Sequence, residues 1–241
     1  MNFQNVDLDK QKKTSLDIYQ SNTDRLLPGI VIIAGGSYKK FAERDSERVA
    51  LTFATHAFQS FVVRYPVEEL KNYQDAKVSI EQSFDYIVSH AKDLGVDTEK
   101  LGIIGFSAGG QLAAAYADKN DTKAKFAILG YPVTTQSLDK QMGVVTEDVT
   151  KLVTSKTPKT FIFGSINDQM TPFAENILPY VQALAKNNVK FELHEFSTGN
   201  HGISLANTYT RIVNKDRADK YFAKWFPLAL DWLDAEGLLT K

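Results

Sequence analysis

The chain has 241 residues, 43% of them hydrophobic, which suits one α/β domain with a substantial core. Its 28 Lys and Arg against 29 Asp and Glu give a formal net charge of -1, so no overall field attracts nucleic acid or an anionic membrane surface. The absence of cysteine excludes disulfides, thiol nucleophiles and thiolate metal sites, and is compatible with a reducing compartment.

No targeting or membrane-spanning segment is recognisable. The first residues, MNFQNVDLDKQKKTSLDIYQ, lack the apolar core of a signal peptide, and runs such as GIVIIAGG are too short to cross a bilayer. We therefore expect a cytoplasmic protein that forms a single domain over residues 1–241. Its expected partner is a small molecule, with no nucleic acid and no membrane.

Short apolar runs rich in β-branched and aromatic residues alternate with longer segments of helical pattern. Such near-continuous apolar strands are typical of a parallel sheet covered on both faces. An earlier run, LDIYQ near residue 18, predicts an antiparallel strand at the sheet edge. The other predicted strands are PGIVIIAGG, QSFVVRYPV, LGIIGFS, KFAILGYPV, KTFIFGS and KFELHEF. The predicted fold is α/β, with a mostly parallel central sheet and helices on both faces.

Helices are predicted between these strands. Residues 43–59 repeat apolar side chains at every fourth position, and residues 73–94 end before Gly95, a good C-cap residue. The closing segment YFAKWFPLALDWLDAEG predicts a helical stretch interrupted at Pro227.

One connection, residues 133–158, is longer than the usual loop between a strand and its neighbour. It is either a short cap over a site or a surface excursion with one short helix. This insert and the aromatic C-terminal helix could also support a homo-oligomer, although an aromatic pattern is more often part of a core.

The stretch LGIIGFSAGGQLAA places G-x-S-x-G at residues 105–109, with a predicted strand before it and a helix after it. Small residues on both sides allow Ser107 to adopt a strained turn that exposes its hydroxyl. A phosphate-binding loop is the alternative, but neither GFSAGG nor AGGSYKK has the glycine spacing that a dinucleotide fingerprint needs. Ser107 is therefore predicted as a nucleophile.

A nucleophilic serine needs a histidine base and a carboxylate that orients it. His201, in STGNHGISLA, follows the last predicted strand, whereas His56 and His90 fall in predicted helices and His194 in a strand. Asp168 follows the strand KTFIFGS. The remaining aspartates considered lie on helix ends or in the insert: Asp118, Asp121, Asp139 and Asp148. The order Ser107, Asp168, His201 is the one used with G-x-S-x-G.

Two backbone N–H groups are expected to form an oxyanion hole. One belongs to Ala108, the residue after the nucleophile. The other comes from the loop IIAGGSY, where we assign Gly36 and keep Gly35 and Ser37 as alternatives.

The chain resembles the α/β-hydrolase superfamily, and within it the small carboxylesterases and acetyl-xylan-esterase-like proteins near the hormone-sensitive-lipase-like and feruloyl-esterase-like branches. The resemblance covers residues 27–236 and rests on these segments: PGIVIIAGGSY, FVVRYPV, GVDTEKLGIIGFSAGGQLAA, FAILGYPVTT, TPKTFIFGSINDQMTP, VKFELHEFSTGNHGISLA and WFPLALDWL. The oxyanion loop departs from many relatives, which carry a His or Pro where this chain has Ala34 and a third Gly where it has Ser37.

The resemblance implies hydrolysis of small carboxylic esters without metal or cofactor, with a triad of Ser107, Asp168 and His201. The short insert favours short acyl chains. Two other hypotheses stay open: a serine peptidase of the same fold, and a non-catalytic binding protein that shares the fold.

Overall fold

A computed structural model, which describes residues 1–208 and 218–240, has one eight-stranded sheet. The strand order is β1-β2-β4-β3-β5-β6-β7-β8. The first two strands run antiparallel, and β3 to β8 are parallel to one another. The predicted, mostly parallel α/β sheet is thereby confirmed. The strands are β1 (Asn2–Asp9), β2 (Thr14–Gln20), β3 (Leu27–Ile33), β4 (Gln59–Arg64), β5 (Val96–Phe106), β6 (Phe126–Gly130), β7 (Lys159–Ser165) and β8 (Phe191–Phe196).

Helices cover both faces of the sheet, which explains why its central strands are apolar on both sides. Along β3, Ile30 and Ile32 pack into one core cluster while Val31 and Ile33 pack into the other. Buried side chains of α2, α4 and α6 pack into the cluster that contains Val31 and Ile33. Those of α1 and α7 pack into the cluster that contains Ile30 and Ile32. The helices are α1 (Glu47–Ala54), α2 (Tyr73–Ser89), α3 (Ala91–Leu94), α4 (Ala108–Ala117), α5 (Asp139–Met142), α6 (Ile177–Lys186) and α7 (Trp225–Ala235).

The N-terminal edge of the sheet differs from the prediction. The strand near residue 18, β2, is antiparallel as expected, but it pairs with both β1 and β4 and is therefore internal. The edge strand is β1, which the apolar pattern did not reveal. Its sequence NFQNVDLD is mostly polar and mostly exposed, so it lacks the apolar alternation that would indicate a strand.

Helix boundaries within residues 43–59 also differ. A short 3-10 turn, Glu43–Asp45, precedes α1, and α1 ends well before Gln59, which opens β4. Ser46 interrupts the helical backbone at φ -107° and ψ -107°, and Ala57 turns the chain at φ 62°. The two ends of the predicted helix therefore belong to other elements.

The next predicted helix ends as expected, and the last one does not break. Gly95 terminates α3 in the left-handed conformation at φ 67°, which is the predicted C-cap. The interruption predicted at Pro227 is wrong, because α7 starts at Trp225 and runs through the proline without a break. Pro227 occupies the first turn, where its missing N–H has no carbonyl partner within the helix.

The insert, residues 133–158, contains α5 and a 3-10 turn, Val149–Lys151. Thr134 fixes its start, because its Oγ1 donates to the Asn176 carbonyl at 2.6 Å. Gln141 extends from α5 to Met170 in the loop after β7, with 3.0 Å between Nε2 and Sδ. In residues 1–208 and 218–240, every helix is too short or too polar to cross a membrane.

Candidate active site

Ser107 lies at a sharp turn between β5 and α4, with φ 54° and ψ -122°. A non-glycine residue held in such a conformation stores about 1–3 kcal/mol of strain. The flanking glycines are sterically required: a Cβ on Gly105 would lie 2.2 Å from the Gly109 carbonyl oxygen. A Cβ on Gly109 would lie 2.3 Å from the Ile33 carbonyl oxygen at the end of β3. The turn is thus packed tightly enough to hold Ser107 in place.

A continuous hydrogen-bonded path links the three predicted site residues. Ser107 Oγ lies 2.8 Å from His201 Nε2, and His201 Nδ1 lies 2.7 Å from Asp168 Oδ2. Ser107 is 8% exposed and Asp168 is 3% exposed, so water competes little for these contacts. The three residues follow β5, β7 and β8, whose C-terminal ends meet at one edge of the parallel sheet.

The Asp168 carboxylate is held by its own loop. The backbone N–H groups of Met170 and Thr171 donate to Oδ1 at 2.8 and 3.0 Å, and Thr171 Oγ1 donates to Oδ2 at 2.9 Å. Burial raises the pKa of Asp168, but the hydrogen bonds from His201 and Thr171 outweigh it and lower the pKa overall. Asp168 is therefore ionised at neutral pH and accepts from His201 as a charged group.

The glycine loop after β3 lies beside Ser107. The site that a Cβ on Gly35 would occupy is 3.1 Å from Ser107 Cβ, and a Cβ on Gly36 would lie 1.8 Å from the Lys40 carbonyl oxygen. Gly36 also has φ 131°, which L side chains rarely adopt. Ala108 opens α4, so its N–H belongs to the first helical turn, where N–H groups lack intrahelical acceptors. The oxyanion donors stay predictions.

A buried polar link behind the site was missed by sequence reasoning. Tyr131 donates from its hydroxyl to Asp45 Oδ1 at 3.3 Å, and the Ser204 N–H donates to the same hydroxyl at 3.0 Å. The Tyr131 ring packs edge-on against His201, with 5.1 Å between ring centroids. Burial raises the pKa of Asp45. This link joins the segment after the glycine loop to the His201 loop.

A second carboxyl group, Glu195 on β8, lies near Asp168. Burial and the charge of Asp168 raise the pKa of Glu195 to about 7. At neutral pH a part of the Glu195 population is therefore protonated, which limits repulsion of Asp168.

The other candidates lie elsewhere. His56 Nδ1 contacts the carbonyl of Thr52 in α1, His90 lies between α2 and α3, and His194 Nε2 lies 2.6 Å from Glu192 on β8. The remaining aspartates are at the end of α4, on the nearby surface or in the insert: Asp118, Asp121, Asp139 and Asp148.

An open cavity of about 530 Å³ borders His201. It is lined by Lys40, Arg44, Asn167, Gln169, Met170, Asn200 and His201. Within residues 1–208 and 218–240, no group of three or more His, Asp or Glu side chains is arranged to hold a metal ion.

The sequence profile of the BD-FAE family matches residues 16–151, more than half of the chain. The chain belongs to the BD-FAE family.

Two curated proteins are similar to this BD-FAE chain. Endo-1,4-beta-xylanase B of Butyrivibrio fibrisolvens is 27% identical over 88% of this chain and 36% of that protein. The acetylxylan esterase of Xylanibacter ruminicola is 25% identical over 52% of this chain and 30% of that protein. The chain thus spans about a third of the length of these relatives.

Solved structures match along almost the whole chain. A carboxylesterase of Lactobacillus plantarum WCFS1 is 25% identical, with a TM-score of 0.92 and 100% of both chains covered. An α/β hydrolase from a Medee basin deep-sea metagenome is 27% identical, with a TM-score of 0.90. The match covers 98% of this chain and 97% of that chain. A sugar hydrolase of Lactococcus lactis is 29% identical, with a TM-score of 0.88 and 98% of both chains. These structures confirm the predicted α/β-hydrolase fold. The similarity to the carboxylesterase of Lactobacillus plantarum agrees with the predicted enzyme class, a carboxylic ester hydrolase.

Proposed function

We propose that this protein is a serine carboxylesterase that hydrolyses small esters with short acyl groups, acetyl esters of sugars among them. The observation that carries this proposal is the path from Ser107 through His201 to Asp168, with Ser107 held at φ 54°. An acetylxylan esterase and a sugar hydrolase among the similar proteins support the substrate class.

In the first half of the reaction, Ser107 Oγ attacks the ester carbonyl carbon while His201 Nε2 accepts the hydroxyl proton. The ionised Asp168 keeps the proton on Nδ1 and stabilises the imidazolium that forms. The tetrahedral intermediate then breaks its bond to the alcohol oxygen. His201 donates its proton to that oxygen, and the acyl group stays on Ser107.

Water completes the cycle. His201 accepts a proton from a water molecule as the water oxygen attacks the acyl-enzyme carbonyl. The bond to Ser107 Oγ breaks, His201 returns the proton to this oxygen, and the carboxylic acid leaves. In both halves the N–H groups of Gly36 and Ala108 stabilise the oxyanion, each contribution being about 10²–10³-fold in rate.

The preference for short acyl groups is supported by the size of the insert. Its regular structure consists of the four-residue α5 and one 3-10 turn, which offers little apolar surface to enclose a long chain. A series of 4-nitrophenyl esters tests this: acetate or butyrate should have the highest kcat/KM. Faster turnover of a long-chain ester would contradict the preference.

The decisive variant is Ser107→Ala. We expect kcat for 4-nitrophenyl acetate to fall about 10⁵–10⁶-fold, because the nucleophile is lost. An organophosphate should label Ser107 in the natural protein, as peptide mass spectrometry would detect. The matched control is Ser197→Ala, since Ser197 is an exposed serine in the same loop as His201.

Two outcomes would contradict the proposal. Full activity of a folded Ser107→Ala variant would exclude Ser107 as the nucleophile. Faster cleavage of an aminoacyl 4-nitroanilide than of the acetate ester would favour a peptidase of the same fold.

A further inference from the structure

The cavity beside His201 has a cationic lining. Lys40 and Arg44 contribute two positive charges, and the described residues that line it include no Asp or Glu. His201 must give a proton to the departing alcohol oxygen, so the alcohol part of an ester lies on the His201 side of Ser107. This cavity is therefore the space that faces the alcohol part.

Lys40 is attached to the oxyanion loop through its backbone. Its N–H donates to the Gly36 carbonyl at 3.4 Å, and its own carbonyl oxygen packs against the Gly36 backbone. The Lys40 side chain is exposed, and in the described part of the chain no acidic side chain is within ion-pair distance of it. Its charge is thus available to a ligand in the cavity.

Arg44 is attached to the other catalytic loop. Its carbonyl accepts from Ser204 Oγ at 2.8 Å, three residues after His201. Its Nε lies 3.7 Å from Asp45 Oδ1, a long contact with a fully buried carboxyl group. Arg44 therefore borders the cavity as a cation with one long ion pair among the described residues.

We propose that the cavity is an anion-preferring alcohol subsite: esters whose alcohol part carries a carboxylate or a similar anionic group bind with that group facing Lys40 and Arg44. This inference rests on the proposed esterase activity. It adds a charge selectivity that the catalytic residues alone do not supply. Electrostatic complementarity of this kind acts mainly on encounter and selectivity, so its effect belongs in kcat/KM.

The test compares two acetate esters of the same shape, 3-acetoxybenzoate and 3-acetoxybenzamide. Each kcat/KM is divided by the rate constant of hydrolysis catalysed by neutral imidazole, an uncharged nucleophile, which corrects for the difference between the leaving groups without charge repulsion. We expect the anionic ester to exceed the neutral one about fivefold at low salt. Salt at about 0.5 M should reduce this ratio toward one, because it screens exposed charges.

Variants locate the effect. Lys40→Gln should lower the anion-to-neutral ratio about threefold, and Lys40→Glu should lower it further. Lys39→Gln is the matched control, because Lys39 is the exposed neighbour that does not line the cavity, and it should leave the ratio unchanged.

Two results would overturn the inference. In the first, the neutral ester is hydrolysed, the anion-to-neutral ratio is one or less, and Lys40→Gln does not change it. This result would exclude the subsite and leave the esterase proposal intact. Hydrolysis of neither ester, together with no organophosphate labelling of Ser107, would remove both.

Discussion

Two cavities of similar volume differ sharply in the state of their charges. The one beside His201 measures about 530 Å³, and a second, between α2 and α4, measures about 470 Å³. In the second, Lys77 pairs with Glu147 and Lys119 pairs with Glu81, so its charges are largely satisfied by neighbours. In the first, the described lining includes no Asp or Glu; Lys40 has no acidic partner in the described part of the chain, and Arg44 has one long ion pair there, with Asp45. Volume therefore does not distinguish the candidate active site from a surface recess, whereas the charge balance of the lining does.

Positive φ angles occur around Ser107 rather than among the described residues that line either cavity. Described residues that line the second cavity all have φ outside the positive region. Around Ser107, several non-glycine residues have positive φ: Ser37, Tyr38, Ser107, Tyr131, Ser204 and Ala206. Strain of this kind persists where surrounding contacts over-determine the chain, and it is concentrated at sites that need fixed geometry.

Among the variants that test the difference between the Ser107 region and the second cavity, Asp168→Asn is expected to have the largest effect. The asparagine keeps the size of the side chain but removes the charge that stabilises protonated His201. We expect kcat for 4-nitrophenyl acetate to fall about 10⁴-fold while the melting temperature changes little. A loss below tenfold would exclude Asp168 as the orienting carboxylate and direct attention to Glu195.

A smaller but still large effect is expected for Gly36→Ala. The new methyl group would lie 1.8 Å from the Lys40 carbonyl oxygen, so the loop must move and the proposed oxyanion donor moves with it. We expect kcat to fall about 10²–10³-fold.

Gly237→Ala is the matched control for this change. Gly237 also has positive φ, 72°, but a Cβ there meets nothing within 4 Å. This control should lose about 1 kcal/mol of stability and no activity. Equal kcat losses in both variants would show that backbone strain, rather than loop position, is responsible.

The smallest expected effect on activity is in the second cavity, at Asp118, where the expected change is one of stability. Burial raises the pKa of Asp118 from 3.8 to about 7, against hydrogen bonds from Tyr180 and Thr157 that lower it. A carboxyl group with a raised pKa in the folded state stabilises the fold when protonated, so this contribution is lost as pH rises from about 4 through about 7. Over this interval the loss is at most about 4 kcal/mol.

Asp118→Asn removes the ionisation and retains an acceptor for Tyr180. As pH increases from 5 to 8.5, the melting temperature of this variant minus that of the natural protein should therefore increase. Esterase activity should be unchanged. A pH-independent difference in melting temperature would show that Asp118 does not titrate in this interval.

The sequence predicted those parts of the fold and site that depend on local pattern. Ser107, Asp168 and His201 each follow an apolar strand, and parallel strands end at one edge, so order along the chain was enough to bring them together. The polar β1 gave no such pattern. The contacts of Asp45 and Arg44 join residues separated by 86 and 160 positions, and nothing in their neighbouring sequence indicates them.

The separation of the three residues along the chain has a consequence for folding. Ser107 and His201 are 94 positions apart, and His201 and Asp168 are 33 apart, each following a different parallel strand. Non-local strand pairing is slow because loop closure must precede any gain in contacts. During synthesis the proposed nucleophile, Ser107, emerges well before the proposed base, His201, so a nascent chain that ends before β8 is expected to lack esterase activity. Appearance of esterase activity would then mark the time at which the last strand joins the sheet.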